Sequence, residues 1–449
     1  MDAPSAGDDA PEAHPFHTHP HRTLLSLSIP VMLSLIPEPI TGLVDTAFVK
    51  VLGAGPLAAL GVATVVLSSA LWAFNFLGIG TQTEVAHAYG AGNRAHARDM
   101  TGTAIVLAGA IGLVMGVLAW QVLGPVARFM GARGEVEDAA VTYLAIRLLG
   151  GPAMLATMVA LGALRGLHDM TTPMRIAVVI NVINVALDAV LITGWGPIPG
   201  YGVAGAAWAT VVSQWVGVVW ALVAVQRRMG LTAVVALRDA RRLLVVGRDL
   251  FLRTGLLVAF ILLTTRAATR IGSDAGAAHQ AIRQVWLLTA LALDAFAATA
   301  QSLVGYFLGA GRVDLARRIC GVSCLWGLLT GLAIALGMLA SEHAVAALLV
   351  PETARAIFHP SWLLAAWAQP INALSFVTDG IHWGTRDYRY LRNAMLGASG
   401  LGCAALVFLD AGGDATLAGV WLVTGGWIAF RAVFGMVRVW PGLGAAPLR

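Results

Sequence analysis

Two carboxyl groups, Glu38 and Asp45, lie inside the first hydrophobic segment of the chain, residues 26–51, which is long enough to cross a bilayer as a helix. An ionisable group at membrane depth costs about 2.5 to 3.5 kcal/mol on insertion scales, so such groups usually line a cavity or a path for ions. Ser34, Glu38, Thr41 and Asp45 follow spacings of four, three and four residues, which places them on one helix face. We expect that face to point into the protein.

The composition is that of a membrane protein. Hydrophobic residues make up 58% of the chain and charged residues only 12%, whereas soluble domains carry roughly 25% charged residues. Residues 1–22 are acidic and no small-residue cleavage site follows a short apolar core, so we expect the first span to be retained. The three cysteines fall in apolar runs and indicate packing, and the net charge of +5 comes from short loops. We therefore expect no nucleic-acid partner, no metal and no cofactor.

A window of about 20 residues predicts twelve transmembrane helices. Most arginines fall on the even-numbered connections, so the positive-inside rule predicts that both termini are cytoplasmic. The predicted spans are 26–51, 57–80, 101–123, 141–164, 173–194, 203–226, 249–271, 285–308, 317–340, 361–384, 391–410 and 416–437.

An internal repeat divides the chain into two halves of six spans. Gly90-Ala91-Gly92 returns as Gly309-Ala310-Gly311 at an offset of 219 residues, and 166–169 returns as 384–387 at an offset of 218. We expect an all-α polytopic protein with two six-helix lobes, related by a pseudo-twofold axis along the membrane normal, and a cleft between them. The predicted parts are a disordered cytoplasmic tail (1–23), an N-terminal lobe (24–226), a basic cytoplasmic linker (227–248), a C-terminal lobe (249–438) and a cytoplasmic tail (439–449).

Four stretches carry a family resemblance: residues 30–61, the pattern Asn181, Asn184 and Asp188, GYGVAGAAWAT at 200–210, and TDGIHWGTRDYRYLRNAM at 378–395. With these, the chain resembles the multidrug and toxic compound extrusion (MATE) transporters, most of all their DinF-like branch, over about residues 24–438. The resemblance implies a twelve-helix antiporter in the bacterial inner membrane. It would export organic, often cationic or amphipathic compounds against inward proton or sodium flow, and it would not be an enzyme.

The N-terminal half offers a polar cluster on three spans. From span direction and a rise of 1.5 Å per residue, we expect Asp45, Asp188 and Thr210 at one height in the outer leaflet. Asn181, Asn184 and Asp188 share a face of the fifth span. The family resemblance implies that Asp45 accepts the proton and that Asn184, Asp188 and Thr210 form its network.

Two buried acids at one level suit proton exchange near neutral pH. The hypothesis is that protonation lets span one bend at Pro30, Pro37 and Pro39 and expels the substrate. A purely structural role for Asp188 and for the prolines stays open. Glu38, Thr41, Asn181, Met154 and Trp208 are further candidates for lining the cavity.

Sodium coupling is the competing mechanism. Sodium-using MATE members are expected to place acids in span seven and in span eight or ten. This chain has Asp294 and Asp379 in spans eight and ten, but no acid in span seven, where Arg266 occurs. An arginine repels a cation, so protons are favoured over sodium. Arg266 and Asp294 could form a structural ion pair, and Asp379 a cation site or an inner gate.

Other classes of protein stay open. A lipid-linked-substrate flippase of the same superfamily would need several cleft arginines, and the spans offer mainly Arg147 and Arg266. No metal-ligand set, nucleophile pair or cofactor motif indicates an enzyme. The histidines at 14, 17, 19 and 21 lie in the tail that we expect to be solvated. The expected partners are small organic substrates and membrane lipid, and we expect a monomer.

Overall fold

The computed structural model describes residues 14–232, 235–411 and 415–449, and in these ranges the chain is helical. Seventeen α-helices are formed in these ranges: α1 Pro20–Leu35, α2 Pro37–Lys50, α3 Ala54–Ala73, α4 Phe76–Gly90, α5 Arg94–Trp120, α6 Leu123–Phe129, α7 Glu135–Leu148, α8 Gly151–Gly166, α9 Thr171–Leu191, α10 Gly202–Met229, α11 Leu237–Ile271, α12 Ser273–Gly309, α13 Val313–Leu349, α14 Arg355–Trp367, α15 Gln369–Gly384, α16 Tyr388–Ala411 and α17 Leu417–Val439.

Each of the twelve predicted spans corresponds to one helix or to a consecutive pair of helices. Within the described ranges, eight spans are long and apolar enough to cross a bilayer, with α1 and α2 counted as one, and the α7 and α8 pair, bent by 48°, adds a ninth. The chain is therefore a multi-pass membrane protein.

Four of the spans that the sequence predicts as single helices are broken in two: α1 with α2, α3 with α4, α7 with α8, and α14 with α15. In three of these pairs the second helix carries a proline in its first turn: Pro37, Pro152 and Pro370. Proline has no backbone N–H and clashes with the preceding turn, so it begins a helix well and interrupts a longer one. These three breaks thus follow from local chemistry that a hydropathy window averages away.

The described chain forms two compact units, which differ from the predicted lobes at the N-terminus. The first unit contains residues up to Ile29 together with residues 248–449, and the second contains residues 30–247. The boundary falls inside α1, at Pro30. The predicted basic linker is mostly helical, because α10 continues to Met229 and α11 begins at Leu237.

The N-terminal segment from His14 onward is folded, in contrast to the predicted disordered tail, of which residues 1–13 lie outside the described ranges. Phe16 is fully buried, and the His14 ring lies 5.3 Å from Tyr306 and 5.2 Å from Phe307, centroid to centroid. Burial and the nearby His17 lower the pKa of His14 to about 4. Ring contacts with α12 therefore replace the solvation that the polar composition predicts.

The C-terminal segment also packs against the first unit. Leu448 is buried, and its carbonyl oxygen accepts a hydrogen bond from Nε of Arg317 on α13. The predicted tail therefore packs against α13, although residues 440–449 are not helical.

The internal repeat is visible as matching helix contacts in the two units. A Cβ atom at Gly166 would lie 2.7 Å from the carbonyl oxygen of Gln82, and one at Gly384 would lie 2.7 Å from that of Gln301. α4 thus approaches α8 as closely as α12 approaches α15. The turns that follow also match, since His168 has φ of 63° and Arg386 has φ of 61°.

These close approaches give a prediction about packing. At Gly380, in the second copy of the contact, an added Cβ would lie 2.1 Å from the carbonyl oxygen of Ala297. We expect Gly380→Ala to lower the free energy of unfolding by about 1 to 3 kcal/mol, because the backbones of α12 and α15 must separate. Gly337→Ala is the control, since nothing lies within 4 Å of its Cβ position. Equal thermal unfolding of both variants in detergent would contradict the interpretation.

Candidate substrate and proton site

The polar residues of α2, α9 and α10 meet within the second unit. Thr41 Oγ1 donates a hydrogen bond of 2.6 Å to Asn181 Oδ1, and Asn184 Nδ2 donates one of 3.2 Å to Thr210 Oγ1. Spacings of three and four residues, along α2 from Glu38 to Asp45 and along α9 from Asn181 to Asp188, bring these groups to facing sides of the two helices. Asn184 is buried with 2% of its surface exposed.

Asp188 lies at the centre of this cluster and is 0% exposed. Its carboxyl group contacts the carboxyl group of Asp45, which is half-buried on α2. Among the described residues, no N–H or O–H donor reaches either carboxyl oxygen of Asp188. Two carboxylates cannot hydrogen-bond to each other unless at least one of them carries a proton, so the geometry suits a pair that shares a proton.

Two groups on α7, Tyr143 and Arg147, complete the surroundings of this pair. Tyr143 was not predicted from the sequence, and Arg147 was considered only as a possible cleft arginine of a flippase. The positive charge of Arg147 acts on Glu38, Asp45 and Asp188, and its guanidinium contacts the Tyr143 hydroxyl. An arginine inside a hydrophobic span is itself a signal of function. Its partners were not predictable, because α7 is distant from α2 and α9 in the chain.

The remaining candidates of the second unit surround the pair less closely. Glu38 is exposed and lies one turn of α2 before Thr41. Ser34, predicted on the same face, belongs to α1 and bonds to the backbone oxygen of Val31. Met154 Sδ accepts a weak contact of 3.6 Å from Gln214 Nε2, and Trp208 is 43% exposed.

In the first unit, Asp379 is held by two buried arginines. Its Oδ2 atom accepts a bond of 2.7 Å from Arg431 Nη2 and another from Arg253. The Arg431 guanidinium lies 4.5 Å from the ring centroid of Trp427. The Asp379 carboxylate is thus shared by two guanidinium groups, and the pairing offsets charges that would be costly to bury alone.

The C-terminal candidates therefore form a different arrangement from the predicted one. The carboxylate of Asp294 acts on Arg431, whereas Arg266, its predicted partner, is an exposed side chain on α11. The sequence predicted a possible ion pair between Arg266 and Asp294, but the rotation of α11 about its axis decides which side chains face inward.

Comparisons with known proteins agree with this architecture. The MatE family profile matches residues 30–190 and 251–405. The chain is similar to Protein DETOXIFICATION 44, chloroplastic, of Arabidopsis thaliana (30% identity, covering 94% of this chain and 84% of the relative). It is also similar to DNA damage-inducible protein F of Escherichia coli K12 (29% identity, 95% of this chain and 93% of the relative).

The fold is similar to a solved structure described as the outward-facing conformation of a multidrug resistance MATE family transporter of the MOP superfamily. The TM-score is 0.87 at 20% identity, over 99% of this chain and 100% of the other. That likeness supports the twelve-helix fold, and the profile match covers well over half of the chain. The chain therefore belongs to the MatE family of multidrug and toxic compound transporters.

Proposed function

We propose that the protein is a proton-coupled antiporter that exports organic, often cationic or amphipathic compounds by alternating access. It would lie in a bacterial inner membrane. The distribution of arginines between connections favours a topology with both termini in the cytoplasm. The observation that carries the proposal is the contact between the carboxyl groups of Asp45 and Asp188.

The acid pair, Asp45 and Asp188, can form favourable interactions in two ways. When it is ionised, it attracts an organic cation; when it is protonated, it bonds internally and that attraction is lost. Proton and substrate thus compete for the same groups, which is the requirement for antiport. Asn184 and Thr210 hold one wall of the site in place through their mutual hydrogen bond.

The first unit favours protons over sodium. A carboxylate attracts a sodium ion best when its negative charge is not already compensated. Among the described residues of this unit, the two buried aspartates are both paired with arginines: Asp379 with Arg253 and Arg431, and Asp249 with Arg248 and Arg392. The charge on Asp294 is likewise directed toward Arg431. A cation entering here would have to displace a buried guanidinium.

The driving force is sufficient for export. Exchange of one proton for one monovalent cation moves no net charge and draws only on the pH gradient, whereas each net positive charge that moves inward, as when two protons enter per cation, gains about 2.3 kcal/mol per 100 mV from the membrane potential. Since each factor of ten in concentration costs about 1.4 kcal/mol, that energy supports a substrate gradient of roughly fiftyfold.

Uptake of a fluorescent organic cation into inverted vesicles tests the proposal. We expect accumulation when a pH gradient is imposed in sodium-free buffer, because the acid pair exchanges protons. A sodium gradient at uniform pH should give no accumulation above vesicles that lack the protein. Uptake driven by sodium alone would contradict the proton assignment.

A further inference from the structure

Within the described ranges, Arg147 is the one arginine whose charge acts on the acid cluster of the second unit, formed by Glu38, Asp45 and Asp188. Only part of its hydrogen-bonding capacity is used. Its Nε and Nη1 atoms are buried and have no hydrogen-bond partner among the described residues. Its contact is with the Tyr143 hydroxyl, which is one turn away on α7. A guanidinium stays positively charged in proteins and carries five N–H donors, so this one retains donors for another group.

The cluster has more negative than positive charge available. Three carboxyl groups feel the charge of Arg147: Glu38 and Asp45 from α2, and Asp188 from α9. From α7 the titratable neighbour is Tyr143, and α10 contributes Thr210, which is uncharged. With no proton bound, the sum of these charges is two negative; a proton shared by the acid pair makes it one negative.

We infer that Arg147 is an internal counter-cation of this cluster: its buried guanidinium, which keeps unused N–H donors, stabilises the ionised carboxylates of the acid pair and competes with cationic substrate for them. The inference rests on the proposed function and assigns Arg147 a positioning role in the same site. A fixed positive charge favours the ionised carboxylates, so protons leave at lower pH. It also weakens the field that attracts an organic cation, so substrate is released more readily.

Infrared titration of the carboxyl C=O band of the purified protein tests this without transport. The signal assigned to the acid pair is the part of the wild-type carboxyl C=O band that is absent from the Asp45→Asn variant. In Arg147→Met its midpoint should move to higher pH by about one unit or more, because loss of a nearby positive charge favours the protonated form. Arg147→Lys keeps the charge and should keep the midpoint. Tetraphenylphosphonium, at a pH where the pair is ionised, should bind Arg147→Met about tenfold more tightly than wild type.

Arg355→Met is the matched control, because Arg355 is an exposed arginine of the first unit, 3.6 Å from Glu352. If Arg147→Met does not remain monodisperse, Arg147→Gln serves as the charge-removing variant. An unchanged midpoint in both neutral variants would overturn the inference, and so would an equal shift in Arg147→Lys. These outcomes are distinct from failure of the proposed function, which is judged by pH-driven uptake in vesicles.

Discussion

Replacement of Asp45 by Asn is expected to reduce pH-driven export to the level of vesicles without the protein, a loss of about tenfold or more. The amide keeps the size and the polar character of the side chain but cannot take up a proton at physiological pH. Asp188 would then keep a neutral partner, and protonation could no longer be exchanged for substrate. Uptake of a fluorescent cation into inverted vesicles under a pH gradient measures the effect.

The neighbouring Thr46→Ala is the control, since Thr46 is exposed and bonds only to the backbone oxygen of Gly42. Size-exclusion chromatography must show that Asp45→Asn is folded, as we expect for a half-buried, isosteric change. A folded Asp45→Asn variant that pumps as well as Thr46→Ala would remove the coupling role of Asp45.

Replacement of Asp379 by Asn is expected to cost about 3 to 5 kcal/mol of stability, because it leaves two buried guanidinium groups without their shared carboxylate. Arg253 and Arg431 expose only 8% and 4% of their side chains, so water cannot replace the lost charge. Thermal unfolding in detergent measures the change.

Asp410→Asn is the matched control for the same chemical change. Asp410 pairs with Arg270 at 2.6 Å, but the two side chains are 41% and 58% exposed, so we expect a loss of less than about 1 kcal/mol. Similar losses in the two variants would show that Asp379 is not a structural counter-ion. If Asp379→Asn instead kept normal stability but changed sodium-driven transport, Asp379 would again be a candidate cation site.

The two units carry different side chains at the repeat positions that match the polar face of α9. At the repeat offset of 218, Asn181 and Asn184 correspond to Ser399 and Gly402. The ring of Phe260 packs against Gly402 and stacks on Trp427, with 4.7 Å between the two ring centroids. The repeated backbone therefore holds a polar site in one unit and an aromatic core in the other, as the side chains dictate.

The sequence by itself determined the class of fold, the helix order and the polar residues of α2 and α9. These follow from hydropathy, helical period and the cost of charge in a bilayer, all of which act locally along the chain. The repeat could be read from glycines because only glycine permits the backbone approach between α4 and α8 that recurs between α12 and α15.

Only the tertiary structure decided which charges meet. Arg147 with the acid pair, and Arg253 and Arg431 with Asp379, join helices far apart in the chain. Those contacts depend on the rotation of each helix about its axis and on breaks such as the one before Pro37, which reset that rotation. Since one residue turns a helix by about 100°, depth counting can place two charges at one height and still not tell whether they face each other.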